Sequence, residues 1–182
     1  KVVVSAAAKD GTGVDLFLVD LLQGTQMKLG GDTLTGGICR SPALSPDGQT
    51  LAVVFSTETG RDQVYLLSSN EAEPQPLGDP LDIRSLSWLG NGTGLVLLVG
   101  EGVQKKDERP GMRIVRLGLD GGVSGIRSDT GSFATVAGKD SQRIRFRGRD
   151  QLWYTCSPKG KSVSKVGNGL KDLADPAVNP EG

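Results

Sequence analysis

A unit of about 45 residues recurs along this chain, and the chain ends cut one copy of it in two. The clearest copy is "SPALSPDGQTLAVVFSTETGRDQVYLL", starting at Ser41. It reads as a short strand, a Pro-Asp-Gly turn, an apolar strand, a polar turn and a further strand. Pro46 presets φ for the first central turn position, Asp47 can bond its own backbone, and Gly48 accepts a positive φ. Joining the last residues to the first gives "PAVNPEG" followed by "KVVVSAAAKDGTGVDLF", which aligns on "PALSPDG" followed by "QTLAVVFSTETGRDQVY" without a gap. In that alignment Val178 falls on Leu44 and Phe17 on Tyr65, and the turn Pro180, Glu181 and Gly182 falls on Pro46, Asp47 and Gly48.

Two weaker copies lie between, "RSLSWLGNGTGLVLLVGEG" from Arg84 and "SFATVAGKDSQRIRFRGRDQLWYTC" from Ser132. Their anchors complete the series Leu44, Trp88, Val136 and Val178, spaced 44, 48 and 42 residues apart. This is the size of a four-stranded propeller blade. The expected fold class is all-β, a β-propeller of about four four-stranded blades forming a single domain over residues 1–182. Blade a takes 175–182 plus 1–31, blade b 32–79, blade c 80–127 and blade d 128–174.

Strands are expected near 41–44, 50–56, 63–68 and 75–78 in blade b, and near 83–88, 94–99, 112–117 and 122–126 in blade c. Blade d should hold strands near 132–137, 142–147, 151–156 and 162–166. The split blade takes its inner strand from 175–178 and the others from 2–8, 14–19 and 25–29. The second strands, "LAVVF" and "GLVLLVG", are apolar on both faces, as a strand sandwiched between neighbouring sheets must be. Three arrangements satisfy the split unit. The chain closes on itself as a four-bladed ring, pairing its last strand beside the strand from Val2; or it is part of a larger ring; or two copies join head to tail.

The residues "SPALSPDGQTLAVV", and "NPEG" joined to "KVVVSA", resemble the repeat of the TolB-like β-propellers. The tryptophan-bearing "LSWLGNGTGLVLL" is also similar to the propeller of the LpqB-type envelope lipoproteins. The TolB-like resemblance implies a propeller with a cell-envelope or extracytoplasmic, periplasmic setting. Rings of that family usually have six blades, and this chain holds material for four.

Composition narrows the chemistry. Histidine is absent, which removes Ser-His-Asp and Cys-His nucleophile schemes and the commonest zinc ligand. Cys39 and Cys156 stand too far apart in sequence for a metal knuckle or redox pair, and are expected as packed free thiols, with a disulfide as the alternative. Lysine plus arginine equals aspartate plus glutamate, at 21 each, so no net field draws nucleic acid or an anionic membrane. No apolar run reaches the roughly 18 residues that span a bilayer, so direct membrane insertion is not expected. The "GNGTG" at 90–94 lacks the lysine and helix of a phosphate-cradling loop and reads as a hairpin turn, with the sequon at Asn91 inside it. "SPDGQT" has its glycine directly after the aspartate, unlike the aspartate box of sialidase-type propellers. Asp107, Glu108, Asp129 and Asp150 lie near loops, but nothing selects a catalytic pair from them. The reading is therefore of a non-enzymatic module with no cofactor and no metal, and its partner is another protein or a second copy rather than nucleic acid.

Two places carry unusual charge. The loops joining second to third strands, "AKDGTG", "TETGRD", "GEGVQKKDERPG" and "RGRD", share one face of a propeller and are all charged. Their candidate contacts are Arg61, Lys105, Lys106, Asp107, Glu108, Arg109, Arg147 and Arg149. The same charges also suit a solvated rim that keeps the ring in solution. Within "RIRFRGR", Arg143, Arg145 and Arg147 alternate with Ile144 and Phe146, so one strand face carries three guanidiniums. Unpaired burial of three charges is prohibitive. Either acids such as Asp129, Asp140 or Asp150 pair with them, or they line a wet groove open to an anionic partner. A second reading makes the propeller a scaffold or gate for a prolyl-oligopeptidase-like hydrolase carried on another domain.

Overall fold

A computed structural model describes residues 2–7, 9, 13–31, 33–34, 36–57, 60–68, 73–100, 111–137 and 143–166. Every regular element among them is a β-strand. The chain divides into two compact units, Lys1–Leu81 and Asp82–Gly182.

The first unit holds two antiparallel meanders. Strands β1 (Val2–Ala7), β2 (Val14–Asp20) and β3 (Thr25–Leu29) form one; β4 (Ile38–Leu44), β5 (Thr50–Ser56), β6 (Asp62–Ser68) and β7 (Gln75–Leu81) form the other. A single parallel bridge, Val14 to Ile38, joins them. Their inner faces meet in one core, where Leu16, Cys39, Leu51, Val53 and Phe55 are buried with Val3, Leu29 and Tyr65 packed against them. Strand β4 begins earlier than its sequence suggests. A bulge between Arg40 and Ala43 lets it continue past Pro42, with Ser41 at a φ of 51°.

The second unit repeats the plan. It consists of β8 (Ile83–Trp88), β9 (Gly94–Gly100), β10 (Met112–Gly118), β11 (Val123–Ala137), β12 (Arg143–Gly148), β13 (Trp153–Cys156) and β14 (Ser164–Lys165) in sequential antiparallel order. Val96, Leu98 and Ile114 from one meander bury against Ala134, Ile144, Phe146 and Cys156 from the next. The sequence suggests separate strands near 122–126 and 132–137, yet β11 runs unbroken through both. Thr130 is the reason: it pairs with Met112 on one side and with Gly148 on the other, and its hydroxyl donates to the Met112 carbonyl at 2.8 Å. The backbone groups of the crossing are thus satisfied by both meanders, and the chain has no need to break. A shift of register between Thr130 and Ala134 absorbs the change of partner.

The doubly apolar strands behave as their composition requires. Ala52, Val53 and Val54 of β5, and Leu95 to Val99 of β9, are at most 1% exposed, so both faces of each strand are covered.

One turn design closes hairpins in both units. In Ser45–Thr50, Leu89–Gly94, Gly118–Gly122, Gly148–Leu152 and Ser157–Lys161, the first residue's carbonyl accepts from the N–H three positions on, and its N–H donates to the carbonyl of the last residue. In four of them an Asp or Asn at the third position accepts from the N–H two residues later: Asp47 from Gln49, Asn91 from Thr93, Asp120 from Gly122 and Asp150 from Leu152. The residue after it takes a positive φ, 72° at Gly48 but also 67° at Gln151. The expected turns at 46–48 and 90–94 are therefore present. The expected inner strand 175–178 and the turn Pro180, Glu181 and Gly182 lie outside the described residues.

Candidate partner-binding surfaces

Strand β12 presents two unlike faces. Ile144 and Phe146, 0% and 2% exposed, plug the core. Phe146 stacks on Tyr154 at 5.7 Å, and the Arg127 guanidinium lies 5.3 Å from its ring centroid. On the opposite face stand Arg143, Arg145 and Arg147. Arg145 sits between Thr135 of β11 and Thr155 of β13, and Ser164 continues the row. Phe133 and Trp153 meet edge to face at 5.4 Å, with Trp153 directly beside Arg147.

The three guanidiniums differ in how they are held. Arg143 donates to the Thr155 hydroxyl at 2.9 and 3.2 Å, to the Ser162 carbonyl at 3.0 Å and to the Ser164 hydroxyl at 3.1 Å. Arg147 Nε donates to the Gln151 carbonyl at 3.2 Å. Arg145 Nε is buried without an acceptor. Ion pairs among the described residues join Lys28 to Asp15, Arg40 to Asp62 and Arg84 to Asp82, and none reaches this face.

The expected pairing with Asp150 is not made. Its Oδ1 accepts from Leu152 N–H at 3.1 Å and its Oδ2 from the Tyr154 hydroxyl at 2.7 Å, so the turn and the tyrosine, on the strand face opposite the arginines, claim both oxygens. The Tyr154 bond, then the Leu152 bond, holds its carboxyl below the ordinary range. The Asp129 side chain and Asp140 lie outside the described residues. Among the described residues, hydroxyls and carbonyls hold Arg143, and a carbonyl holds Arg147.

The loop rim is described in part. Arg61 is exposed on the approach to β6, and Arg149 is exposed in the β12–β13 turn, where Arg147 also ends its strand. Arg147 and Arg149 are thus brought to one turn, stitched together through Gln151. Lys105, Lys106, Asp107, Glu108 and Arg109 lie outside the described residues.

Sequence reading missed one charged cluster. Arg40 Nη2 and Asp62 Oδ2 approach to 2.6 Å, while the Ser56 hydroxyl donates to Asp62 Oδ1 at 2.6 Å and accepts from Arg40 Nε at 3.3 Å. The triad ties β4, β5 and β6 together at one end. Ser56 ends one strand and Asp62 opens its hairpin partner, a juxtaposition that a register assignment would have exposed. Cys39 and Cys156 are both buried thiols, not joined in a disulfide. Burial, with Asp15 nearby, pushes the Cys39 thiol up to about 11, so it is held as an unreactive thiol. No group of three metal-ligating side chains clusters among the described residues.

No family model matches the sequence, and no curated protein is significantly similar to it. Solved structures do match in fold. A TolB from Agrobacterium tumefaciens superposes with a TM-score of 0.67 at 18% identity, covering 91% of this chain and 61% of that one. The β-propeller domain of the trilobed protease from Pyrococcus furiosus gives 0.66 at 15% identity, covering 94% and 55%. TolB from Acinetobacter baumannii gives 0.57 at 17% identity, covering 90% and 43%. The chain therefore spans about half the length of the structures it matches. Within each unit the meanders of antiparallel strands pack face to face as blades, and in fold the chain is a β-propeller similar to those structures.

Proposed function

We propose that this chain is a non-enzymatic β-propeller module of the cell envelope that binds another protein through its charged loop rim. One observation carries the reading: in each unit, taken by itself, an arginine is exposed on the loop that follows a core-anchored second strand, Arg61 after β5 and Arg149 after β12. Charged groups held at the ends of rigid sheets lose little entropy on binding, which is the usual economy of a scaffolded recognition loop. The insertion carrying Lys105, Lys106 and Arg109 extends the same rim in sequence. The TolB-like fold supports the extracytoplasmic setting.

Reversing Lys105, Lys106 and Arg109 to glutamate tests it. A partner recovered by the parent chain should be lost by the variant, and unchanged recovery would count against this rim. The match to a protease propeller favours a second reading, a blade array that gates or scaffolds a hydrolase. Reading the gene on either side of the segment separates the two: a hydrolase domain with its own serine and histidine favours the second. A second copy joined head to tail is the remaining partner this module would accept, and sedimentation of the purified chain tests it.

A further inference from the structure

We propose that β3 (Thr25–Leu29) is a self-pairing edge, at which two copies of this chain join their sheets antiparallel about a two-fold axis beside Met27. The site shares no residue with the loop rim and does not rest on that reading.

Among the described residues β3 pairs with β2 and leaves its other edge open. The unpaired N–H and C=O groups of such an edge are a template for another strand, and folded chains blunt them with proline, short length, irregular register or charge. The strands that end the other meanders are blunted. β7 carries Pro76 and Pro80, and its register on β6 shifts between Asp62 and Val64. β14 is two residues long. The outer part of β11 is met by the Gly160 turn, whose carbonyl accepts from Arg127 at 3.5 Å. β3 has none of these devices. It is five residues without proline, in unbroken register on β2. Its one charge, Lys28, lies 3.0 Å from Asp15 and is neutralised there.

This edge is also apolar where it meets water. Residues 21–28 are all exposed, and Leu21, Leu22 and Met27 among them are 68%, 99% and 57% exposed. The leucines are held out on a fixed tip. Asp20 Oδ1 accepts from the N–H of Leu22 at 3.0 Å and of Gln23 at 3.1 Å, and its carbonyl accepts from Gly24 N–H at 2.9 Å. Large apolar groups clustered in water beside an open edge mark an interaction site.

The strand is its own complement. A register centred on Met27 pairs all five residues with five, setting Met27 against the partner's Met27, Gln26 against the partner's Lys28 and Thr25 against the partner's Leu29. Centring one residue later would oppose two lysines, and like charges directly opposite are destabilising. Continued past the strand ends, the Met27-centred register carries each leucine tip towards the Gly30–Gly31 turn of the other copy. A Cβ at Gly31 would meet nothing within 4 Å, so that approach is open. A two-fold contact uses both edges and stops at two copies. A bilayer is disfavoured as occupant, because hydrocarbon offers nothing to pair backbone groups and the tip bears Asp20 rather than free cations.

Sedimentation velocity of the whole chain over a concentration series tests the proposal. The parent should pass reversibly from monomer to dimer, and Met27→Lys, which opposes two cations, should weaken the dimer at least about tenfold. L21Q/L22Q should weaken it severalfold. K105E/K106E/R109E should leave it unchanged, which separates failure of this edge from failure of the rim. A nitroxide at Gln26→Cys reads the register without the lysine variant, since Cys39 and Cys156 are buried from the label. Its spectrum should broaden in the dimer and sharpen on dilution with unlabelled chain. A parent that stays monomeric up to roughly 1 mM, a dimer that Met27→Lys leaves intact, or a dimer whose nitroxides stay unbroadened would each overturn it.

Discussion

Arg40 and Asp62 are joined by a 2.6 Å ion pair across a sheet, with Ser56 bonded to both. Asp62 is 11% exposed at its side chain and Arg40 32%, so the pair lies between a buried bridge and a surface one. Removing one partner of a buried pair costs about 3–5 kcal/mol, and solvent screening at Arg40 lowers that. Asp62→Ala is expected to cost about 2–3 kcal/mol, read as a lower midpoint in urea unfolding with an unchanged slope. A midpoint equal to that of the parent chain would reduce the triad to a surface contact.

Gln151 occupies, at a φ of 67°, the turn position that Gly48, Gly92, Gly121 and Gly160 fill elsewhere. A left-handed conformation costs a residue with a Cβ roughly 1 kcal/mol relative to glycine. Gln151→Gly should therefore raise the thermal midpoint slightly, since the relief of strain exceeds the added entropy of the unfolded chain. Gly48→Ala should lower it. The same sign for both substitutions would contradict the turn assignment.

Asp47 and Asp150 give the fold an acid limit. The Ser45 hydroxyl and Gln49 N–H hold Asp47 below the ordinary range, and Tyr154 and Leu152 do the same for Asp150. A carboxyl whose folded value is depressed stabilises the fold above its unfolded value of about 3.9, and that stability is lost as pH falls through the folded value. Tyr154→Phe removes one donor to Asp150 and should flatten the loss of stability below about pH 4. Urea midpoints measured across that interval check it, and a loss as steep as in the parent would remove Asp150 from the account.

Cys39 should be chemically silent in the native state. It is 2% exposed, and its thiol titrates near 11. At mildly alkaline pH an aromatic disulfide reagent is expected to label neither Cys39 nor Cys156 until the chain is unfolded, when both react. Immediate reaction of Cys39 would show that the core between β2 and β5 opens readily.

Much of the strand order was legible because composition speaks plainly where both faces of a strand are buried. The strand expected at 50–56 is β5 to the residue and the one expected at 94–99 is β9 to within one residue, and the Pro-Asp-Gly and Gly-Asn-Gly turns fall where their φ requirements put them. The continuity of β11 was hidden, because "RSDTGS" reads as a polar connection and only Thr130, bonded on two sides, keeps it extended. The arginine face was legible as a face but not as a network. Alternation places three guanidiniums together, whereas the acceptors of Arg143 come from 12 to 21 residues away, on two further strands and the connection between them. Asp150 looked like their partner by proximity in sequence. Tyr154, four residues on, takes it because the intervening turn brings the two side chains together.

The most direct test of the functional account is cross-linking of the captured partner with a lysine-reactive reagent, followed by mass spectrometry. Lys159 and Lys161 belong to the β13–β14 turn, at the opposite end of the strands from the β12–β13 turn, and Lys28 lies on β3. The account predicts partner cross-links at Lys105 and Lys106 and few at Lys28, Lys159 or Lys161. Cross-links concentrated at Lys159 and Lys161, with Lys105 and Lys106 unlinked, would place the partner on the other end of the blades and contradict it.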